Sequence, residues 1–202
     1  MQRAATETEA ASGALAHVSH PPIVDINAAV AAAIACRTRF GDVRDAVLRE
    51  YPWNFAGAWM RPAREPAPAL GPLKNRFALP PDCVAVRAVD GLKEDEWAVE
   101  GAAVNPGEMP VFAMVLVTNA PAPLVHYTRI VENPALWDAL FLSVFQLRLG
   151  AAIAPFLAKD RALANDLTVR ADLLIAKAKR ADAKERARTE IPRTTSWLRA
   201  RR

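Results

Sequence analysis

Cysteine, glycine and histidine are all scarce in this chain. Two cysteines, Cys36 and Cys83, cannot form a disulfide framework. Cys36 lies in an alanine-rich helical pattern and Cys83 in a strand-like one, so both read as buried free thiols of a reducing compartment. The three histidines, His17, His20 and His126, are not at metal-ligand spacing, and there is no CxxC pair. Eight glycines stand against sixteen prolines, which means stiff, extended connections. Walker A, GxGxxG, GxSxG, HExxH and EF-hand patterns are all missing. No catalytic residue, cofactor site or metal site is therefore expected, and the chain does not read as an enzyme.

A net charge of +4 is too small to indicate a nucleic-acid binder, but its distribution is uneven. From Lys159 onward there are 13 Lys and Arg against 6 Asp and Glu, while the rest of the chain holds 13 against 16. One end is basic and the body mildly acidic, and each could meet a complementary partner. The start of the chain, with Thr6, Glu7, Thr8 and Glu9 where a leader would be apolar, is expected to carry no signal peptide. The one apolar stretch of membrane-spanning length, 139–158, holds Ser143, Gln146 and Arg148 near its middle and Pro155 near its end. It is expected to be a buried helix rather than a membrane span, because a central arginine costs roughly 2.5–3.5 kcal/mol on insertion.

Forty-two of the 202 residues are alanine, which points to closely packed helices. Residues 1–22 are rich in Ala, Ser, Thr and Glu and read as a mobile tail. Asp25 is a candidate N-cap for a helix with Ile26, Val30 and Ile34 on one face. Gly41 is expected to interrupt it, with a second helix over 42–50 carrying Val43, Val47 and Tyr51 on one face before Pro52 stops it. Four prolines in 61–72 predict an extended connector.

Strand patterns follow over 76–79, 83–89, 97–104, 111–117 and 124–131, separated by turns at Asp90-Gly91 and Asn105-Pro106-Gly107. Residues 111–117 are continuously apolar, as in a strand covered on both faces. Asn133 and Pro134 then open a helix with Leu136, Leu140, Val144, Leu147 and Ala151 as its core stripe. Asp160 starts a last helix, with Leu163, Leu167, Leu174 and Ala178 inward and Lys177, Arg180, Lys184 and Arg188 outward. The order is helices, strands, helices. It predicts an α+β fold, mostly α: an antiparallel helical bundle over 23–60 and 132–190, with a small antiparallel β-domain over 73–131 inserted between its halves.

Four features could carry function. Glu94, Asp95 and Glu96 form an acidic cluster that reads as a solvated turn, and His126 reads as a half-exposed sheet residue. Tyr51, Trp53 and Phe55 put three rings in five positions at a helix end, a structural aromatic plug joining helix to sheet. The tail 191–202 presents Trp197, Leu198, Arg199, Arg201 and Arg202 with no evident core to enter. Trp and Arg are enriched at interface hot spots, so this segment is expected to dock in a partner's groove.

Several of these segments resemble one family. DVRDAVLREYPWNFA at 42–56 resembles the "RD.vL..hPWnFA" signature of phage head–tail adaptor proteins: the tail tubular protein A, or gatekeeper, group with its prophage and gene-transfer-agent relatives. NRFALPPDCVAVRAV at 75–89 is similar to its Leu-Pro-x-Asp-Cys pattern, WAVEG at 97–101 to a "w.veG" strand, and VENPALWDALF at 131–141 to "v.dp..fdplF". The connector at 61–72 stands where that family has a short strand. The resemblance implies a homo-oligomeric ring, commonly of twelve copies, at the head–tail junction of a virion or phage-like particle made in the bacterial cytoplasm. The C-terminal residues Trp197 to Arg202 would grip the portal protein, and the β-domain would face the next tail component, a stopper or nozzle. DNA would pass through the lumen without specific binding, and no membrane would be involved. The alternative reading of the residues is a nucleic-acid-binding accessory protein using the basic last helix, with steeply salt-dependent DNA binding.

Overall fold

A computed structural model describes residues 6–66, 69, 71–104 and 111–185, with backbone alone for 103–104, 111–112 and 181–185. The protein is mixed α+β. In chain order the described residues form α1 (Glu7–His17), α2 (Ala31–Glu50), β1 (Gly57–Met60), β2 (Asn75–Ala78), β3 (Cys83–Val89), β4 (Trp97–Val104), β5 (Val111–Thr118), β6 (Val125–Arg129), α3 (Ala139–Leu157) and α4 (Arg161–Glu185).

Helix α3 is the hub, since α1, α2 and α4 all pack on it. Its apolar residues lie all round the helix, as a helix with neighbours on three sides needs. Phe141, Val144, Phe145, Leu149, Ile153 and Ala154 are fully buried. By length and composition α3 could cross a membrane. Asp138 caps it by accepting from the Leu140 and Phe141 amides, and Pro155 falls in its last turn. Arg148 ties three helices together: its guanidinium lies 2.9 Å from Glu50 on α2 and 2.8 Å from Asp172 on α4.

Residues 6–22 do not form a mobile tail. Thr6 and Glu9 make a reciprocal capping box that starts α1, and Ala10, Ala11, Ala14 and Leu15 are wholly buried. Small residues let the backbones approach. A Cβ at Gly150 of α3 would lie 3.3 Å from the Ala14 carbonyl oxygen and 3.3 Å from Leu167 of α4. Helix α2 also departs from expectation. Asp25 does not cap it; its carboxylate accepts from the Asn27 amide in a local turn, and the helix begins only at Ala31. Gly41 does not interrupt it. The buried face is Ala32, Ala33, Cys36, Phe40, Val47 and Leu48, whereas Val30 and Ile34 are exposed. Asn133 and Pro134 open a single 3-10 turn rather than a long helix, and Leu136 points to solvent.

The six strands form two three-stranded antiparallel sheets, ordered β1-β6-β3 and β2-β5-β4. Phe77, Leu79, Val89, Leu116 and Val125, drawn from both sheets, make a second hydrophobic core. Val115, Leu116 and Val117 are all buried, so β5 is covered on both faces there. Strand β1 has no counterpart among the sequence expectations; four residues carry too little alternation to show, and it exists by pairing with β6. Part of the proline-rich connector runs beside β2. The Ala78 amide donates to the Ala63 carbonyl, and the Glu65 amide to Arg76.

Two arginines fasten helix to sheet. Arg87 of β3 donates to the carbonyls of Leu48 and Arg49, the last turn of α2, and to the Thr128 hydroxyl. In return Arg49 donates to the Val84 carbonyl. A cation at a helix C-terminus satisfies carbonyls that have no partner within the helix and complements the helix dipole.

Candidate functional site

Tyr51 ends α2 in extended conformation, and Pro52 prevents the helix from resuming. The chain then turns through Asn54, Phe55 and Ala56 into β1. This geometry drives Trp53 inward, where it is 3% exposed. Its indole N–H donates to the Val47 carbonyl at 2.9 Å. Its ring meets Tyr51 edge-on at 5.4 Å and Phe141 edge-on at 5.2 Å, and Phe55 packs on Phe141 at 5.0 Å.

The cluster is larger than those three rings. Trp137 sits 5.0 Å from Phe141, 4.9 Å from Phe145 and 6.1 Å from Phe40, with its own N–H donated to the Val131 carbonyl at 2.7 Å. Sequence reasoning did not single out Phe40 or Trp137. Both sit at ordinary helical or loop positions, and only the crossing of α2 with α3 brings them together. The stretches 42–56 and 131–141, far apart in the chain, thus share one aromatic core.

A cleft of about 520 Å³ opens beside this core. Pro52, Trp53, Asn54, Gly57, Trp59, His126 and Thr128 line it. Trp59 of β1 and His126 of β6 are directly opposite in register and stack at 4.7 Å, with Trp59 58% exposed. Gly57 leaves room for the ring, since a Cβ there would lie a tight 3.2 Å from the His126 Nε2. His126 is thus half of an aromatic slab, and Trp59 is a third residue that sequence reasoning passed over.

The other sequence candidates fall as follows. Glu94, Asp95 and Glu96 form an exposed 3-10 turn before β4. Among the described residues no three His, Cys, Asp or Glu are grouped as metal ligands would be. Burial pushes the Cys36 and Cys83 thiols up to about 11, so both are held as neutral thiols. Trp197, Leu198, Arg199, Arg201 and Arg202 lie outside the described residues, as does everything after Glu185. Lys179, two turns from that end of α4, places its ammonium 5.9 Å from the Tyr51 ring. No protein-family model matches the sequence, and no curated protein matches it.

Proposed function

We propose that this chain is a structural head–tail adaptor of a phage or phage-like particle, with no enzymatic activity. It forms a ring of about twelve copies that docks on the portal and joins the capsid to the next tail component. In this reading the four helices α1 to α4 make one antiparallel bundle, and the strands β1 to β6 are a domain inserted between α2 and α3. Residues 191–202 are the docking tail, with Trp197 and Leu198 as apolar anchors and Arg199, Arg201 and Arg202 pairing with acidic groups of the portal.

One observation carries the proposal. The four stretches that resemble the adaptor family are not scattered. Residues 42–56 and 131–141 meet through Trp53, Phe55, Trp137 and Phe141, while 75–89 and 97–101 supply β2, β3 and the start of β4. A signature of aromatic and proline residues has a physical reason to persist where it builds the joint between helices and sheet. The exposed faces of α2 and α4, with Val30 and Ile34 on one and Val169 and Leu173 on the other, give lateral surfaces through which copies can pack.

Docking a short tail orders it at an entropic cost, so each contact is weak. A ring multiplies many such contacts by avidity. Deleting residues 194–202 and measuring binding to portal rings tests the mechanism. Binding is expected to fall at least tenfold, and undiminished binding would sink it.

A further inference from the structure

We propose that the cleft between Pro52, Trp59 and His126 is a binding site for a tryptophan-bearing peptide, and that its occupant in the free chain is the chain's own segment 194–202. The site stands independently of the adaptor reading.

The chemistry of the cleft selects such a ligand. Its volume, about 520 Å³, falls within the range of small-ligand pockets, roughly 300–1,000 Å³. The Trp59–His126 slab and Trp53 offer aromatic faces, which favour another ring stacked or edge-on. The exposed face of Trp59 also suits a guanidinium. Among the described lining residues no side chain is charged, and the cation beside Thr128, Arg87, is occupied by its 2.8 Å bond to that hydroxyl, so the indole of Trp197 rather than its neighbouring arginines is what the cleft takes. Beyond α4 the chain has one aromatic residue, Trp197, followed by Leu198 and Arg199.

Lys179 places its ammonium 5.9 Å from the Tyr51 ring centre, and the Tyr51 and Trp53 ring centres are 5.4 Å apart, so this part of α4 lies near the aromatic core on which the cleft opens. Six further residues to Glu185 add about 9 Å of helix, which places its end within about 25 Å of Trp53. The twelve residues from 186 to 197 can span at most about 40 Å. The tether therefore covers the distance without strain. Such a tether supplies an effective concentration of about 1 mM, so a peptide affinity of only about 0.1 mM fills the cleft about 90% of the time. A tenfold weaker contact leaves it about half filled, and a partner that binds the same residues more tightly displaces it.

The test uses the full chain labelled with 5-fluorotryptophan. Its five tryptophans give five fluorine signals, assigned by single substitution. A soluble paramagnetic agent then reads the exposure of each. The Trp197 signal is expected to be shielded in the unmodified chain, equally so after tenfold dilution, and to broaden about fivefold more in Trp59→Ala. Trp137, buried away from the cleft, reports that the fold is intact. Trp197→Ser, which alters no described contact, is expected to move the Trp59 and Trp53 signals and leave Trp97 and Trp137 in place. Full exposure of Trp197 in the unmodified chain overturns the proposal, as does shielding that survives Trp59→Ala. Shielding lost on dilution overturns it in favour of a second copy as the occupant.

Discussion

Trp137→Phe isolates the joint on which the fold account depends. The substitution keeps a ring among Phe40, Phe141 and Phe145 but removes the indole N–H and part of the volume. Trp137 is 1% exposed and Val131 is 4% exposed, so neither water nor collapse readily replaces what is lost. The lost volume, about 40 Å³, costs about 1 kcal/mol at the usual cavity coefficient. Stripping the Val131 carbonyl of its 2.7 Å bond adds about 1–3 kcal/mol, the cost of a buried unpaired acceptor. The sum, about 2–4 kcal/mol, corresponds to a fall in Tm of about 5–12 °C for a domain this size. Thermal and urea unfolding of the purified chain read it, with Trp59→Phe as the control. Trp59 is largely exposed, and its change should stay within about 0.5 kcal/mol. A Trp137→Phe chain as stable as that control would refute the claim that this ring is locked into the core.

Other outcomes follow from the same packing. Gly150→Val is expected to cost about 1–3 kcal/mol by overpacking the α1–α3–α4 crossing, with the largest rise in amide exchange in α1; exchange confined to α4 would contradict the placement of α1. Arg148→Met should cost about 1 kcal/mol at low salt, because its pairs with Glu50 and Asp172 are part-solvated, and the difference should shrink in 1 M salt. The Cys36 and Cys83 thiols titrate near 11 when folded and near the ordinary 9 when unfolded. Their contribution is therefore fully present below pH 9 and is lost as pH rises through 11, since the folded state holds protons that the unfolded state releases. Alkylation of the fully buried Cys36 at pH 8 should accordingly be limited by opening of the structure, whereas Cys83, only half-buried and not the buried thiol expected from the sequence, should label sooner; rapid labelling of Cys36 in the native chain would contradict its burial.

The sequence showed some elements and hid others for identifiable reasons. Strands β2 to β6 were legible because proline, glycine and aspartate punctuate short runs of apolar, β-branched or aromatic residues. Helix α1 was hidden because its buried residues are alanines and one leucine, too small to mark a stripe. Yet Thr6 and Glu9 did spell its capping box. Asp25 misled because the same side chain that caps a helix also closes a local turn. Leu136 misled because Asp138, two residues on, is the true cap of α3. In the candidate site, Tyr51, Trp53 and Phe55 stood out as a cluster along the chain. The Trp59–His126 slab did not, since it joins residues 67 positions apart through a register that only strand pairing sets.

The adaptor proposal is tested most directly by imaging the full chain mixed with portal rings of the same particle at physiological salt. A ring of about twelve copies seated coaxially on the portal is the result the proposal requires. A chain that stays apart from the portal and instead binds free DNA with a steep salt dependence would contradict it and favour the nucleic-acid reading.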